Sequence, residues 1–235
     1  MVQNRVIIIK HLGLIDYKEA LAMQEAHYKT MVDQKHGRAM VDPFSQPAAS
    51  GYLIFCEHPP VYTLGRRGSM NHLLVDTATL ARQKIALYHV NRGGDITYHG
   101  PGQLVVYPII DLEFFFTDIH RYLRLLEASV IEILAHFNIP STSLPGLTGV
   151  WLKADKNSKP FDRKICSIGI RVSRWITMHG LALNVNNELT PFDQIIPCGI
   201  SKGVTSMQQE LNKSITIMDV SDILAQIILK KLNYV

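Results

Sequence analysis

A chain of 235 residues that is 47% hydrophobic and 19% charged has the composition of a globular protein, which excludes a disordered tail or a fibrous repeat. The net charge of +4, from 24 basic and 20 acidic residues, is too small and too scattered for a nucleic-acid binder, though it leaves room for an acidic protein partner. Three cysteines, Cys56, Cys166 and Cys198, make neither an even set nor a C-x-x-C pair. That excludes a disulfide framework and a zinc ribbon and points to a reducing cytoplasm, with no metal expected. The opening M-V-Q-N-R-V-I-I-I-K-H is too short in apolar residues for a signal peptide, and no segment approaches the roughly 18 apolar residues of a membrane span. The expectation is a soluble, cytoplasmic protein, folded as one domain over residues 1–235 because no linker-like shift divides the chain.

Residues 6–9 read as a short buried strand. Asp16, with Glu19 three residues on, is a capping pair that opens a helix with Tyr17, Leu21, Tyr28 and Val32 on one face, ending near Gly37. Residues 38–50 carry Pro43, Pro47 and Ser50 without periodicity and read as a loop. Strands follow at 52–57 and 61–63, then at 86–90 and 103–109, the last two flanking a glycine-rich segment expected to be irregular. From 117 to 138 the apolar residues Ile119, Leu123, Leu126, Val130, Ile133, Leu134 and Phe137 recur at three and four, an amphipathic helix stopped by Pro140. Residues 148–153 and 164–172 read as strands joined by a polar loop, and 175–185 completes a hairpin with the second. Thr216 with Asp219 caps a final helix carrying Val220, Ile223, Leu224, Ile227 and Leu232. Runs of strands with three clear helices predict an α+β fold, a mixed sheet with helices packed on one face.

The densest special sequence is R-G-G-D-I-T-Y-H-G-P-G-Q, residues 92–103, with four glycines in twelve positions. Glycine lets the backbone take positive φ and approach a ligand, while Arg92, Thr97, Tyr98 and His99 add donors of different chemistry, so the segment reads either as a binding loop or as a long turn. It lacks the spacing of a dinucleotide fingerprint and of a phosphate loop. Cys198, in I-I-P-C-G-I, sits between a proline that fixes the chain and a glycine that uncovers the backbone, a setting for an acyl-carrying thiol with amide donors nearby; the other reading is a buried small hydrophobe. In strand 164–172, Lys164 is expected on the apolar face with Cys166, Ile168, Ile170 and Val172, opposite Ile165, Ser167, Gly169 and Arg171. Partial desolvation there would lower its pKa, as a catalytic lysine requires; the other reading is a strand-end lysine that snorkels to water. His99 and His179, in T-Y-H-G and T-M-H-G, stand out among ten histidines but have no metal-site spacing. Arg66 and Arg67 make a local basic spot that reads either as a dock for a phosphate or an acidic partner or as a solvated loop.

Taken together, R-G-G-D-I-T-Y-H-G-P-G-Q-L-V-V-Y-P, K-I-C-S-I-G-I-R-V-S-R-W-I-T-M-H-G-L-A-L-N-V and P-F-D-Q-I-I-P-C-G resemble, in that order, the blocks of the lipoyl(octanoyl) transferases, the acyltransferases of lipoate biosynthesis. The resemblance covers most of residues 52–206 and implies a fold like the catalytic domain of biotin and lipoate protein ligases. It implies transfer of an octanoyl group from octanoyl-acyl carrier protein to a lysine of lipoyl domains, those of 2-oxoacid dehydrogenase complexes and the glycine cleavage H protein, with no cofactor and no ATP. By the same resemblance Cys198 is the acyl-thioester nucleophile and Lys164 its catalytic partner. The substrate is then held by Arg92, Gly93, Gly94, Asp95, Ile96, Thr97, Tyr98 and His99, by Ser167, Ile168 and Gly169, and by Gly180, Leu181 and Ala182. An ATP-dependent lipoate or biotin ligase shares the implied fold but would need no cysteine. A binding module without catalysis would need neither Cys198 nor Lys164. Residues 38–50 and 153–163 are longer than the family pattern requires; both stretches are polar and loop-like.

Overall fold

The computed structural model describes residues 5–37, 49–155, 159–196 and 203–233. In chain order these form β1 (Ile7–Leu14), α1 (Tyr17–Gly37), β2 (Gly51–Glu57), β3 (Val61–Leu64), α2 (Thr77–Gln83), β4 (Ala86–His89), β5 (Ile96–His99) and β6 (Gln103–Ile110). Then come α3 (Ile119–His136), β7 (Thr142–Leu144), β8 (Leu147–Leu152), β9 (Arg163–Ser173), β10 (Ile176–Asn184), β11 (Gly203–Val204), α4 (Met207–Leu211) and α5 (Ile217–Asn233). None of these helices is long and apolar enough to cross a membrane. Residues 38–48 of the expected first loop and residues 156–158 of the second lie outside the described residues.

The main sheet runs β1-β2-β6-β10-β9-β8-β7, with β11 added alongside β9; a second sheet runs β4-β3-β5. Parallel pairing joins β1 with β2 through α1 and β3 with β4 through α2, and β11 also lies parallel to β9. The remaining sequence-adjacent pairs are antiparallel, and β9 turns into β10 through Arg174 and Trp175, both at positive φ as a tight hairpin demands. The α+β class and mixed sheet of the sequence reading are observed. Both faces of the sheet are covered, however, because β6 is buried at every residue. Leu53, Phe55, Leu104 and Val106 pack with α3 and α5, while Tyr52, Ile54, Cys56, Val105 and Tyr107 alternate to the other face, where α1 lies.

Asp118 caps α3 through the Arg121 N–H, and its buried stripe of Leu126, Val130, Ile133 and Leu134 meets Val220, Leu224 and Ile228 of α5. Truncating any one of these leucines to alanine would cost roughly 2–5 kcal/mol by lost burial and the cavity left behind. The glycine-rich segment is more regular than the sequence suggests. Its glycines fall at 93, 94, 100 and 102, and between them Ile96–His99 has the side-chain alternation and unbroken N–H groups to pair with β3 over Val61–Leu64. Helix α2 was not expected; Asp76 caps it by accepting the Thr79 N–H, but the helix buries only Leu80, too little periodicity to read.

One irregularity shapes the end of β9. Val150 pairs with Cys166 and Trp151 with Lys164, so β9 carries one residue more than β8 between them. Ile165 and Cys166 both turn into the helix-covered core and are fully buried. Lys164 therefore falls on the opposite face from Cys166, with Ser167 and Gly169, which corrects the strict alternation of the sequence reading. Gly149 makes this possible: it holds φ +121°, and a Cβ placed there would lie 2.6 Å from the Cys166 carbonyl oxygen. Gly149→Ala is expected to lower stability by roughly 1–3 kcal/mol, read as a drop in the urea midpoint, because backbone must shift to admit the methyl. A midpoint equal to wild type would show that the irregularity does not depend on glycine.

Candidate active site

The site is built where the two sheets meet, and the strand ends that form it are tied together by backbone bonds. Gly93 donates its N–H to Ile170 of β9 at 2.9 Å, while Gly65, Arg66 and Arg67 donate theirs to the carbonyls of Asp95, Arg92 and Gly94. The glycine-rich loop is thus clamped between β9 and the chain leaving β3. Arg92 is buried, and its guanidinium donates to the Thr63 carbonyl at 2.6 Å, to Thr63 Oγ1 at 2.9 Å and to the Gly93 carbonyl at 3.0 Å. Gly169 leaves room for it, since a Cβ there would lie 3.1 Å from Arg92 Cδ. The bonds that hold Arg92 are structural ones, and its charge acts on the surrounding groups through the low-dielectric interior.

These elements enclose a cavity of about 600 Å³. Of the residues singled out in the sequence, Arg92, Gly93, Gly94, Asp95, Ile96, Thr97, His99, Lys164, Ser167, Ile168, Gly169, Gly180, Leu181 and Ala182 line it. Tyr98 does not; it is buried against Tyr62 and Phe192 and belongs to the second sheet's core. Lys164 places Nζ 4.5 Å from the centre of the Trp151 ring, a cation–π distance. The registered pairing of β8 with β9 stops at Val150, and beyond it Leu147 and Ile168 line the cavity together with Leu123 of α3. The result is an apolar stretch continuous with the polar loop.

Cys198 lies outside the described residues, and so does the rest of 197–202. On one side, the Ile196 N–H donates to the His72 carbonyl at 2.8 Å, and Leu73 bridges to Ile195. On the other, Gly203 and Val204 pair with Arg163 and Lys164. Both flanks are therefore fastened to residues at the cavity or next to it.

Four of the titratable groups on this lining, His99, His179, Tyr17 and Tyr107, are held neutral. His99 gives its Nδ1 proton to Gln103 Oε1 at 2.7 Å, because the Gln103 amide nitrogen is itself donating to the Tyr98 carbonyl and Asn184 Oδ1. Burial, then the charges of His58 and Arg92, pushes the His99 pKa down to about 3. His179 is lowered to about 4, by burial first and then by Arg92 and Arg171. Burial raises Tyr17 to about 12 and pushes Tyr107 well above its ordinary value, and Tyr107 donates to His58 Nε2 at 2.7 Å. Of the amides in the glycine-rich loop, those of Gly93 and Ile96 are already given to the Ile170 carbonyl and to Asp95 Oδ1. Sequence reasoning passed over His72, whose side chain lines the cavity 2.6 Å from Asp95; nothing in H-L-L-V-D marks it. It also gave no role to Trp151 or Leu123, which lie in a strand and a helix read as structural.

Known proteins share this architecture. A bipartite lipoate protein ligase from Thermoplasma acidophilum superposes with a TM-score of 0.71 at 14% identity, over 98% of this chain and 85% of that one. The biotin protein ligase of Aquifex aeolicus in complex with biotin and ATP gives 0.52 at 15% identity, over 97% and 70%. In sequence, the chain is 50% identical over 222 residues to an octanoyltransferase of Cytophaga hutchinsonii, covering 94% of this chain and 90% of that protein. It is 53% identical over 211 residues to an octanoyltransferase of Flavobacterium johnsoniae, covering 88% of each. The model of the lipoyl protein ligase A/B catalytic domain matches residues 16–229, and the chain belongs to that family.

Proposed function

We propose that this chain is an octanoyltransferase of lipoate biosynthesis. It moves an octanoyl group from the phosphopantetheine thioester of acyl carrier protein to a lysine amine of a lipoyl domain, through a thioester on Cys198 and without ATP. The acceptors are lipoyl domains of 2-oxoacid dehydrogenase complexes and the glycine cleavage H protein. The observation that carries the reading is the meeting, in one cavity of about 600 Å³, of Lys164, the glycine-rich loop and an apolar stretch, with both flanks of the Cys198 segment fastened at its edge. Two residues of chain, about 7 Å at most, separate Cys198 from Ile196. Relatives that are 50% and 53% identical carry the name octanoyltransferase, which supports the same chemistry.

Exchange between two thioesters is nearly balanced, so the first half-reaction chiefly needs Cys198 as thiolate. A lysinium beside it lowers the thiol pKa, and Lys164 on the cavity face supplies that cation. Acylation then changes the partner. Once the thiolate has become a neutral thioester, Lys164 loses its counter-charge in a half-buried site, its pKa falls, and it becomes able to accept a proton as the amide forms. The pair titrates as a unit. The acyl chain lies along Leu123, Leu147 and Ile168.

The direct test is intact mass after incubation with octanoyl-acyl carrier protein in the absence of ATP. Wild type is expected to gain one hydroxylamine-labile octanoyl group and Cys198→Ser none. An unmodified wild type that instead forms an acyl-adenylate from octanoate and ATP would replace this reading with a ligase. The apolar stretch has its own test. Leu123→Trp is expected to slow loading of octanoyl by at least about 10-fold while leaving butanoyl loading near wild type, since lost methylene space costs on the order of 1–3 kcal/mol. Equal effects on both chain lengths would place the acyl chain elsewhere.

A further inference from the structure

The cavity lining holds a titratable pair to which this scheme gives no task. His72 Nδ1 lies 2.6 Å from Asp95 Oδ2. Asp95 is buried, its other oxygen accepts the Ile96 N–H at 2.7 Å, and its carbonyl accepts the Gly65 N–H, so the carboxylate is fixed in place. At such a distance a bare ring nitrogen would set its lone pair against those of the carboxylate. The proton of a neutral His72 therefore sits on Nδ1, and Nε2 carries the lone pair. The ring approaches off the N–H axis, so the contact is a close charge pairing rather than a formed hydrogen bond, as is common for catalytic groups before substrate fills a site. The side chain keeps 30% of its surface open, and the residue's own carbonyl holds Ile196, two positions before Cys198.

Aminolysis supplies a task. A lysine reaches the acyl-enzyme as an ammonium with three N–H bonds, and the amide it becomes keeps one, so two protons must leave. Lys164 takes one as the C–S bond breaks, which restores the lysinium–thiolate pair. The other must leave earlier, because an ammonium has no lone pair with which to attack.

We propose that His72, oriented by Asp95, is the general base that takes this first proton from the acceptor lysine; the proposal rests on the thioester reading above. The amine nitrogen then forms the C–N bond, the C–S bond breaks, and Cys198 leaves as thiolate beside protonated Lys164, with His72 as imidazolium. Net charge is +1 before and after. Arg67 and Arg92 share the lining and oppose the imidazolium, while Asp95 favours it; His99 and His179 in the same lining are held neutral and contribute no charge. Asp95 acts through His72 and is a positioning residue.

The test follows octanoyl-enzyme, preformed from octanoyl-acyl carrier protein, as it is deacylated by a lipoyl domain of a 2-oxoacid dehydrogenase or by hydroxylamine. Hydroxylamine is already a neutral amine at neutral pH and needs no first deprotonation. His72→Gln is expected to slow transfer to the lipoyl domain on the order of 100-fold, with hydroxylamine deacylation and initial loading within about threefold of wild type. Added imidazole should partly restore His72→Ala. Lipoyl-domain transfer at the wild-type rate in His72→Gln would overturn the proposal, and so would equal slowing with hydroxylamine, which is what a merely structural role produces. Wild-type protein that takes up no octanoyl group would fell the thioester reading, and this base with it.

Discussion

One extra residue in β9 decides what the end of the main sheet can do. With strict alternation Lys164 would lie on the face of Cys166, beneath the helices, where an ammonium has no access to a ligand and a large desolvation penalty. Because Ile165 and Cys166 both enter the core, Lys164 emerges on the cavity face beside Ser167 and Gly169, with the Trp151 ring against its ammonium. The irregularity is held from both sides. Gly149 in β8 allows the close approach to the Cys166 carbonyl, and β11 pairs with Arg163 and Lys164 on the far side, which fixes the strand end directly next to the segment that carries Cys198.

The rest of the site is organised around a buried cation. Arg92 is held by Thr63 and its own loop, and the glycines around it bring backbone within reach of the guanidinium. Its charge helps depress His99 and His179 and lowers the otherwise burial-raised tyrosines. Neutral histidines and tyrosines set beside this buried cation suit a reaction in which negative charge appears briefly on a carbonyl oxygen and on a sulfur. An apolar run beside it, open where β8 leaves β9, suits a chain that has only methylenes to offer.

Much of this was legible in the sequence, for identifiable reasons. The amphipathic helix α3, the capping residue of α1 and the β9–β10 hairpin follow from periodicity and turn chemistry that tertiary contacts do not override. The loop and strand residues that line the cavity at 92–97, 99, 167–169 and 180–182 were singled out because glycine-rich backbone and the resemblance point to the same segments. What escaped depends on distant partners. The face of Lys164 is set by a glycine in the neighbouring strand, and Tyr98 is drawn away from the site by Tyr62 and Phe192. Regular pairing of Ile96–His99 required knowing that β3 lay alongside. His72 gains its significance only from Asp95, 23 positions later in the chain, and no spacing rule joins them.

The claim on which the account turns is that Lys164 serves as the counter-ion of the Cys198 thiolate. The other two cysteines are buried and their thiols are pushed up by burial, so alkylation of the folded protein reports on Cys198. The decisive measurement is the rate of iodoacetamide alkylation as a function of pH in wild type and in Lys164→Met. The account predicts a wild-type thiol titrating clearly below the ordinary value of about 8.5, returning to that value in the variant. Identical profiles in the two proteins would contradict it.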